Sequence, residues 1–347
     1  MKIALDAMGG DSAPASTVAG AWEALKKYPD IEIVLVGDQA RIEKELIVLG
    51  AWPIHKRFSI LHCSQVVDMG DSAIDAVRRK KDSSISRACD LLADEGAQAL
   101  VSAGHTGAFV AAAKVKLRML PGIDRPGIAA VMPTEAGLFL LLDAGANVDC
   151  DPKHLLQFGI MGSVYSREIL GRKNPRVGLM SIGSEASKGN ELTREAYKEL
   201  ALAKINFIGN VEGHDLFNKP VDVVVCDGFV GNVLLKTSES LAGAIFSWLK
   251  RELTKDLIRK VGAHLAKEAF LTIRRKTNAE EYGGMPLLGV NGICIKAHGN
   301  SSPKAIKNAI RVAREAVTLK VNPSIVAEIA QHDKFVQDAK IDGKHAT

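Results

Sequence analysis

Short, nearly continuous apolar runs alternate with helical segments along almost the whole chain, and this alternation limits the fold more than any other feature. The pattern predicts strands over 2–5, 31–36, 59–62, 99–102, 128–132, 138–142, 177–182, 207–211, 221–226 and 293–297. Between them it predicts helices over 15–27, 39–49, two stretches within 72–95, 107–119, 152–170, 191–202, about 231–277, 303–320 and 323–339. Strands that are apolar on both sides and joined through helices form a mainly parallel sheet buried between two helical layers. Only Pro133-Thr134-Glu135-Ala136-Gly137 separates the runs at 128–132 and 138–142, which reads as a hairpin and makes the sheet mixed. The expected class is α/β, a three-layer α/β/α sandwich with a mainly parallel mixed sheet. No linker or internal repeat divides the chain. Residues 1–340 read as a single α/β domain, with two intimate lobes as the alternative, and 341–347 as a polar tail.

Composition narrows the function classes. With 347 residues, 47% of them hydrophobic, the chain can bury a large core. Its net charge of +5 suits an anionic substrate or partner and does not call for nucleic acid. Cys63, Cys89, Cys150, Cys226 and Cys294 are scattered and form no C-x-x-C pair, so reduced thiols are expected and no metal site. No apolar run reaches the roughly 18 residues of a membrane span, and the N-terminus enters a strand without a signal-peptide pattern. A cytoplasmic protein is the expectation.

Chemistry concentrates where strands end. Residues 283–302 hold five glycines, a proline and a histidine, and close in His298-Gly299-Asn300-Ser301-Ser302 just before a helix that opens with proline. In open α/β sheets ligands bind at the carboxyl ends of strands. Asp6-Ala7-Met8-Gly9-Gly10-Asp11 follows the first strand, where Asp11 or Ser12 would cap the next helix in the plainer reading. Ser102-Ala103-Gly104-His105-Thr106-Gly107 joins a strand to a helix N-terminus and suits inorganic phosphate; its plainer reading is a capped turn. Further polar, glycine-rich strand ends contain Asp143 and Asn147, Glu185 and Lys188, and Asp227 and Asn232, and six such ends are expected to converge on one edge of the sheet. A Gly-x-Ser-x-Gly elbow is absent, and neither the G-x-G-x-x-G spacing nor a metal-carboxylate cluster supports a dehydrogenase. The residue types favour anion binding and oxyanion stabilisation over covalent catalysis. Lys188, Asn232 and His298 are the candidate catalytic groups. Ser102, Gly104, His105, Thr106 and Gly107 are the candidate phosphate site, and Asp6, Gly9, Gly10, Asp11, Asp143, Asn147, Glu185 and Asp227 are further candidates.

The segment 249–277 carries nine Lys or Arg against three Asp or Glu. Leu249, Leu253, Leu257, Val261 and Leu265 recur every four residues, as in an amphipathic basic helix broken near Gly262. It reads as a core or dimer helix, or as a surface for anionic lipid or an acidic protein, with Leu257, Arg259, Lys260, Val261 and Leu265 as contacts.

Taken together these blocks resemble the bacterial phosphate acyltransferase family of phospholipid synthesis. That family carries Asp-Ala-Met-Gly-Gly-Asp, Ser-Ala-Gly-x-Thr-Gly-Ala, Asp-x-Gly-Ala-Asn, Ile-Gly-x-Glu-x-x-Lys-Gly, Asp-Gly-Phe-x-Gly-Asn and Tyr-Gly-Gly…His-Gly-x-Ser, in the order found here at 6–11, 102–108, 143–147, 182–189, 227–232 and 282–301. His105 departs from it, Asn being common there. The resemblance implies an isocitrate/isopropylmalate dehydrogenase-like fold, a homodimer, and no cofactor. It implies transfer of a long acyl chain from acyl carrier protein to inorganic phosphate. A membrane glycerol-3-phosphate acyltransferase would consume the acyl phosphate, with the enzyme resting on the inner membrane surface. The runner-up reading is a phosphotransacetylase-like enzyme using acyl-coenzyme A. A non-catalytic membrane-side scaffold for acyltransferases is the alternative from another class.

Overall fold

The computed structural model describes residues 1–345 apart from 54, 69, 136 and 278. The chain opens with β1 (Lys2–Asp6), α1 (Ala15–Lys27), β2 (Glu32–Gly37), α2 (Gln39–Val48), β3 (Phe58–His62), α3 (Ala73–Arg79), α4 (Ser84–Ala93), β4 (Ala99–Ser102) and α5 (Thr106–Lys116). It continues through β5 (Gly127–Thr134), β6 (Gly137–Leu142), α6 (Pro152–Glu168), β7 (Arg176–Met180), α7 (Glu191–Leu202), β8 (Asn206–Val211), α8 (Asp215–Asn218) and β9 (Val223–Val225). It closes with α9 (Gly228–Leu253), α10 (Leu257–Leu265), α11 (Lys267–Thr277), a 3-10 turn at Ala279–Glu281, β10 (Met285–Leu288), β11 (Ile293–Lys296), α12 (Pro303–Thr318) and α13 (Val321–His345).

All eleven strands join one sheet, in the order β3-β2-β1-β4-β11-β10-β5-β6-β9-β7-β8. Strand alternation sends Ala4, Leu100 and Cys294 to one face and Ile3, Leu5, Val101 and Ile295 to the other. The first face carries one continuous core beneath α4, α5 and the start of α9. The second is divided: α1, α2 and α12 cover the β1 half, and α6, α7 and α13 cover the β6 half. The three-layer α/β/α architecture is thus built on burial of both sheet faces.

The expected hairpin is present: β5 and β6 pair antiparallel from Ala129↔Leu142 to Thr134↔Gly137, with Ala136 of its turn outside the described residues. A second hairpin, β10–β11, was not legible, because Met285-Pro286-Leu287-Leu288 is short and holds a proline. The first hairpin has a large consequence. β1, β4, β11 and β5 run one way, whereas β6, β9, β7 and β8 run the other. The six polar strand ends therefore do not converge on one edge. Those of β1, β4 and β11 leave one edge, and those of β6, β7 and β9 leave the opposite one.

Several helix starts follow from local capping chemistry, and others do not. Ser302 accepts from the Ala305 N–H at 3.3 Å with Pro303 in the first turn, as its sequence predicts. Neither Asp11 nor Ser12 caps α1; Pro14 occupies the cap position and supplies no side-chain acceptor. The basic segment is interrupted at 254–256 and at Ala266, not at Gly262, which lies inside α10. The tail read as 341–347 continues α13 through His345, while 346 and 347 lie outside the described residues.

Candidate active site

The turns after β1, β4 and β11 interlock backbone against backbone. A Cβ on Gly9 would lie 2.5 Å from the Gly104 nitrogen and 2.6 Å from Asp6 Oδ2, so only glycine allows this approach. Gly10, with φ of +111°, faces the Gly299 carbonyl, which accepts from the Asp11 N–H at 2.8 Å. Asp6 is buried at the end of β1. It accepts from the Ser102 hydroxyl at 2.7 Å and from the Met8 N–H at 3.2 Å. Burial pushes the Asp6 carboxyl above its ordinary range; hydrogen bonds from Ser84, Ser102 and Met8 and the charge of Lys296 oppose that shift.

The candidate phosphate turn divides into two parts. Ser102 is wholly buried and committed, since its oxygen also accepts from the Gly104 N–H at 3.1 Å. His105 caps α5: its Nδ1 accepts from the Ala108 N–H at 3.0 Å, which places the ring proton on Nε2. Thr106 and Gly107 begin the helix, where first-turn N–H groups have no intrahelical acceptor and meet an anion favourably.

Sequence reasoning missed the group at the centre of this edge. Lys296 ends β11, only 3% exposed, behind an otherwise apolar strand. Its ammonium donates to the Ala297 carbonyl. Burial lowers the Lys296 pKa from 10.5 to about 8, against the opposing pull of Asp6 and Asp11 and with the repulsion of Lys236. The available signal was a cation in the last position of an apolar strand, directly before the His298-Gly299 turn. Lys236 on α9 lies 3.0 Å from His298 Nε2 and 3.3 Å from Glu239.

Lys296 and His298 sit in the wall of a cleft of about 630 Å³ between α9 and the β10–β11 hairpin. Val131, Leu235, Phe246 and Met285 give it apolar sides; Asn300 and Ser301 give it a polar end. Such a shape accepts a ligand with a long apolar part and an anionic head.

The opposite edge is built differently. Asp143 is fully buried and accepts from the N–H groups of Ile128, Gly145, Ala146 and Asn147 at 2.7–3.1 Å and from the Asn147 amide at 2.9 Å. Asn147 also donates to the Pro126 carbonyl at 2.6 Å. Both are thereby tied to the scaffold. Asp227 caps α9, accepting from the Val230 N–H at 2.8 Å. Asn232 is exposed against Gly145, and Lys236 lies one turn further on, so α9 links this edge to His298. Lys188 and Glu185 are exposed in the turn after β7, folded over Gly183. β7 lies five strands from β11, about 24 Å of sheet, so the chain does not bring Lys188 to Lys296.

The basic segment lies outside the core. α10 has no buried residue; Leu257, Val261 and Leu265 are 77%, 55% and 81% exposed. Arg259 pairs with Glu252 at 3.0 Å and Asp256 at 3.1 Å, which reduces its charge available to a partner. Among the described residues no helix is long and apolar enough to cross a membrane.

The chain matches a family model described as "Fatty acid synthesis protein" over residues 1–324. It is 54% identical over 317 residues to a phosphate acyltransferase of Pelotomaculum thermopropionicum, covering 91% of this chain and 92% of that one. It is 49% identical over 337 residues to a phosphate acyltransferase of Syntrophotalea carbinolica, covering 97% and 96%. Its fold is similar to a phosphotransacetylase from Streptococcus pyogenes, with TM-score 0.59, 16% identity and coverage of 95% and 94%. A phosphotransacetylase from Staphylococcus aureus gives TM-score 0.57, 15% identity and coverage of 93% and 94%. The chain belongs to the fatty acid synthesis protein family whose relatives are phosphate acyltransferases, and it is an acyltransferase of lipid synthesis.

Proposed function

We propose that the enzyme transfers a long-chain fatty acyl group from acyl carrier protein thioester to inorganic phosphate, with phosphate held at the β1–β4–β11 edge. The observation that carries this reading is the cleft whose apolar walls lead to Lys296, on the strand beside the one that ends at the Thr106 and Gly107 helix N-terminus. An oxygen of hydrogen phosphate attacks the thioester carbonyl carbon. The C–O bond forms, the C–S bond breaks, and the phosphate proton ends on the departing thiol. The protein's task is to position phosphate and stabilise the tetrahedral oxyanion, since phosphate itself is the nucleophile. His298 lines that cleft, Asn232 lies one helical turn before Lys236 on α9, and Lys188 belongs to the other edge.

A homodimer is supported by an exposed apolar stripe on α9, comprising Phe229, Val233, Leu241, Ile245 and Trp248. Contact with an anionic inner membrane surface is supported by the unburied leucines of α10 among basic residues. The acyl phosphate would then be released beside a membrane glycerol-3-phosphate acyltransferase.

The test uses matched acyl-carrier-protein and acyl-coenzyme A donors of equal chain length, with acyl phosphate measured directly. Preference for the carrier-protein donor supports the proposal. Preference for coenzyme A replaces it with the phosphotransacetylase reading, and membrane binding without turnover replaces it with the scaffold reading.

A further inference from the structure

We infer that Lys296 is the cation that receives the substrate phosphate; this rests on the proposed acyl transfer to phosphate. A buried ammonium needs compensation. Losing water costs several kcal/mol in effective terms unless an anion and further acceptors replace it. Lys296 lacks that replacement. Among the described ion pairs, which extend to 4.0 Å, Lys296 has none, and its one described hydrogen bond is to the Ala297 carbonyl. An ammonium has three donors, so two are left for a ligand.

Other charged groups stand around it with partners of their own. Asp6, across the β1 turn, is held by Ser102 and Met8 and stands off as a long-range counter-charge. Asp11 lies against Gly299. On α9, Lys236 is engaged with Glu239 and His298. Glu280 meets the Ser302 N–H at 3.4 Å. An oxyanion entering the cleft would find the Lys296 ammonium at its wall and, one strand away, the α5 N-terminus at Thr106 and Gly107. Phosphate suits such a site, since it offers several acceptor oxygens and its dianion matches two separated positive features.

Lys296→Met keeps the length and removes the charge. Two measurements separate the site from the reaction. In the first, inorganic phosphate alone is titrated into the wild-type enzyme and the variant, and the rise in melting temperature is recorded. In the second, the Michaelis constant is measured for phosphate and for the acyl donor. The expected results are a phosphate-dependent rise in wild type that Lys296→Met abolishes, and kcat/KM for phosphate lowered about a hundredfold with the donor KM within twofold. A merely structural role would lower the melting temperature without altering this split. Should Lys296→Met fail to fold, phosphate binding to the wild type is measured from pH 7.5 to 9.5, where the phosphate dianion persists. It should weaken above about pH 8, as the lysine loses its proton. Phosphate stabilisation of Lys296→Met equal to wild type, or a flat pH profile, overturns the assignment. Phosphate binding that depends on Lys296 in an enzyme that makes no acyl phosphate would sink the proposed reaction and leave the site standing.

Discussion

A Cβ placed on Gly231 would lie 1.9 Å from the carbonyl oxygen of Asp143. The first turn of α9 thus presses against the loop that Asp143 organises, and the helix can carry Lys236 to His298 only from this seat. Gly231→Ala should destabilise the fold by about 3 kcal/mol or more, since the obstruction is backbone and cannot rotate away. Chemical denaturation measures it; a loss under about 1 kcal/mol would mean that the helix shifts freely.

His105 is predicted to matter as a cap. His105→Ala removes the acceptor for the Ala108 N–H and should cost about 1 kcal/mol, whereas His105→Asn should hold the helix as well as wild type. Equal melting temperatures for all three proteins would contradict the capping role.

The two lysines named for the reaction separate experimentally. Lys188→Ala should leave phosphate-induced stabilisation unchanged, because its turn leaves the opposite sheet edge from the phosphate turn. A thermal titration with inorganic phosphate reads this directly, and lost stabilisation would show that Lys188 reaches the phosphate.

Lys296 also sets a pH dependence of stability. Its pKa is 10.5 when unperturbed and about 8 in the fold. Below pH 8 both states are charged, and burial of the cation counts fully against the fold. Between about 8 and 10.5 the unfolded chain holds a proton that the folded protein lacks, so stability from this group rises with pH. The full change is on the order of 3 kcal/mol. Denaturation of wild type and Lys296→Met at pH 8 and pH 10 should show a rise that is larger in wild type. Parallel profiles would exclude a shifted lysine.

Val261→Asp and Leu265→Asp should abolish co-sedimentation with anionic vesicles while preserving fold and soluble activity, because neither side chain is buried. Unchanged sedimentation would remove the membrane from the account.

How far the sequence could be read depended on whether a residue's task was local. Runs such as 31–36 and 138–142 are apolar because both faces of their strands are covered, so their positions were plain. The Ser302-Pro303 start was plain for the same reason: a cap acts on its own turn. Strand direction across the sheet was hidden. The 133–137 turn announced a hairpin, but its effect on which edge Lys188 and Asp227 leave depends on strand order. Lys296 was hidden by its strand, whose apolar pattern advertises a core. The capping role of Asp11 or Ser12 failed because Pro14 stands between them and the helix.

The lack of any buried residue in α10 has a consequence for the chain's evolution and handling. Core residues are fixed by their neighbours, whereas the exposed leucines and valine of α10 answer chiefly to what they meet outside the fold. This stretch is free to change charge and length at little cost to folding. Segment 249–277 carries a net +6 against +5 for the whole protein. Retention on a cation exchanger would therefore report the appendage rather than the enzyme body, and replacing 254–277 with a short uncharged loop should bring the net charge near zero and abolish that retention with the sheet intact.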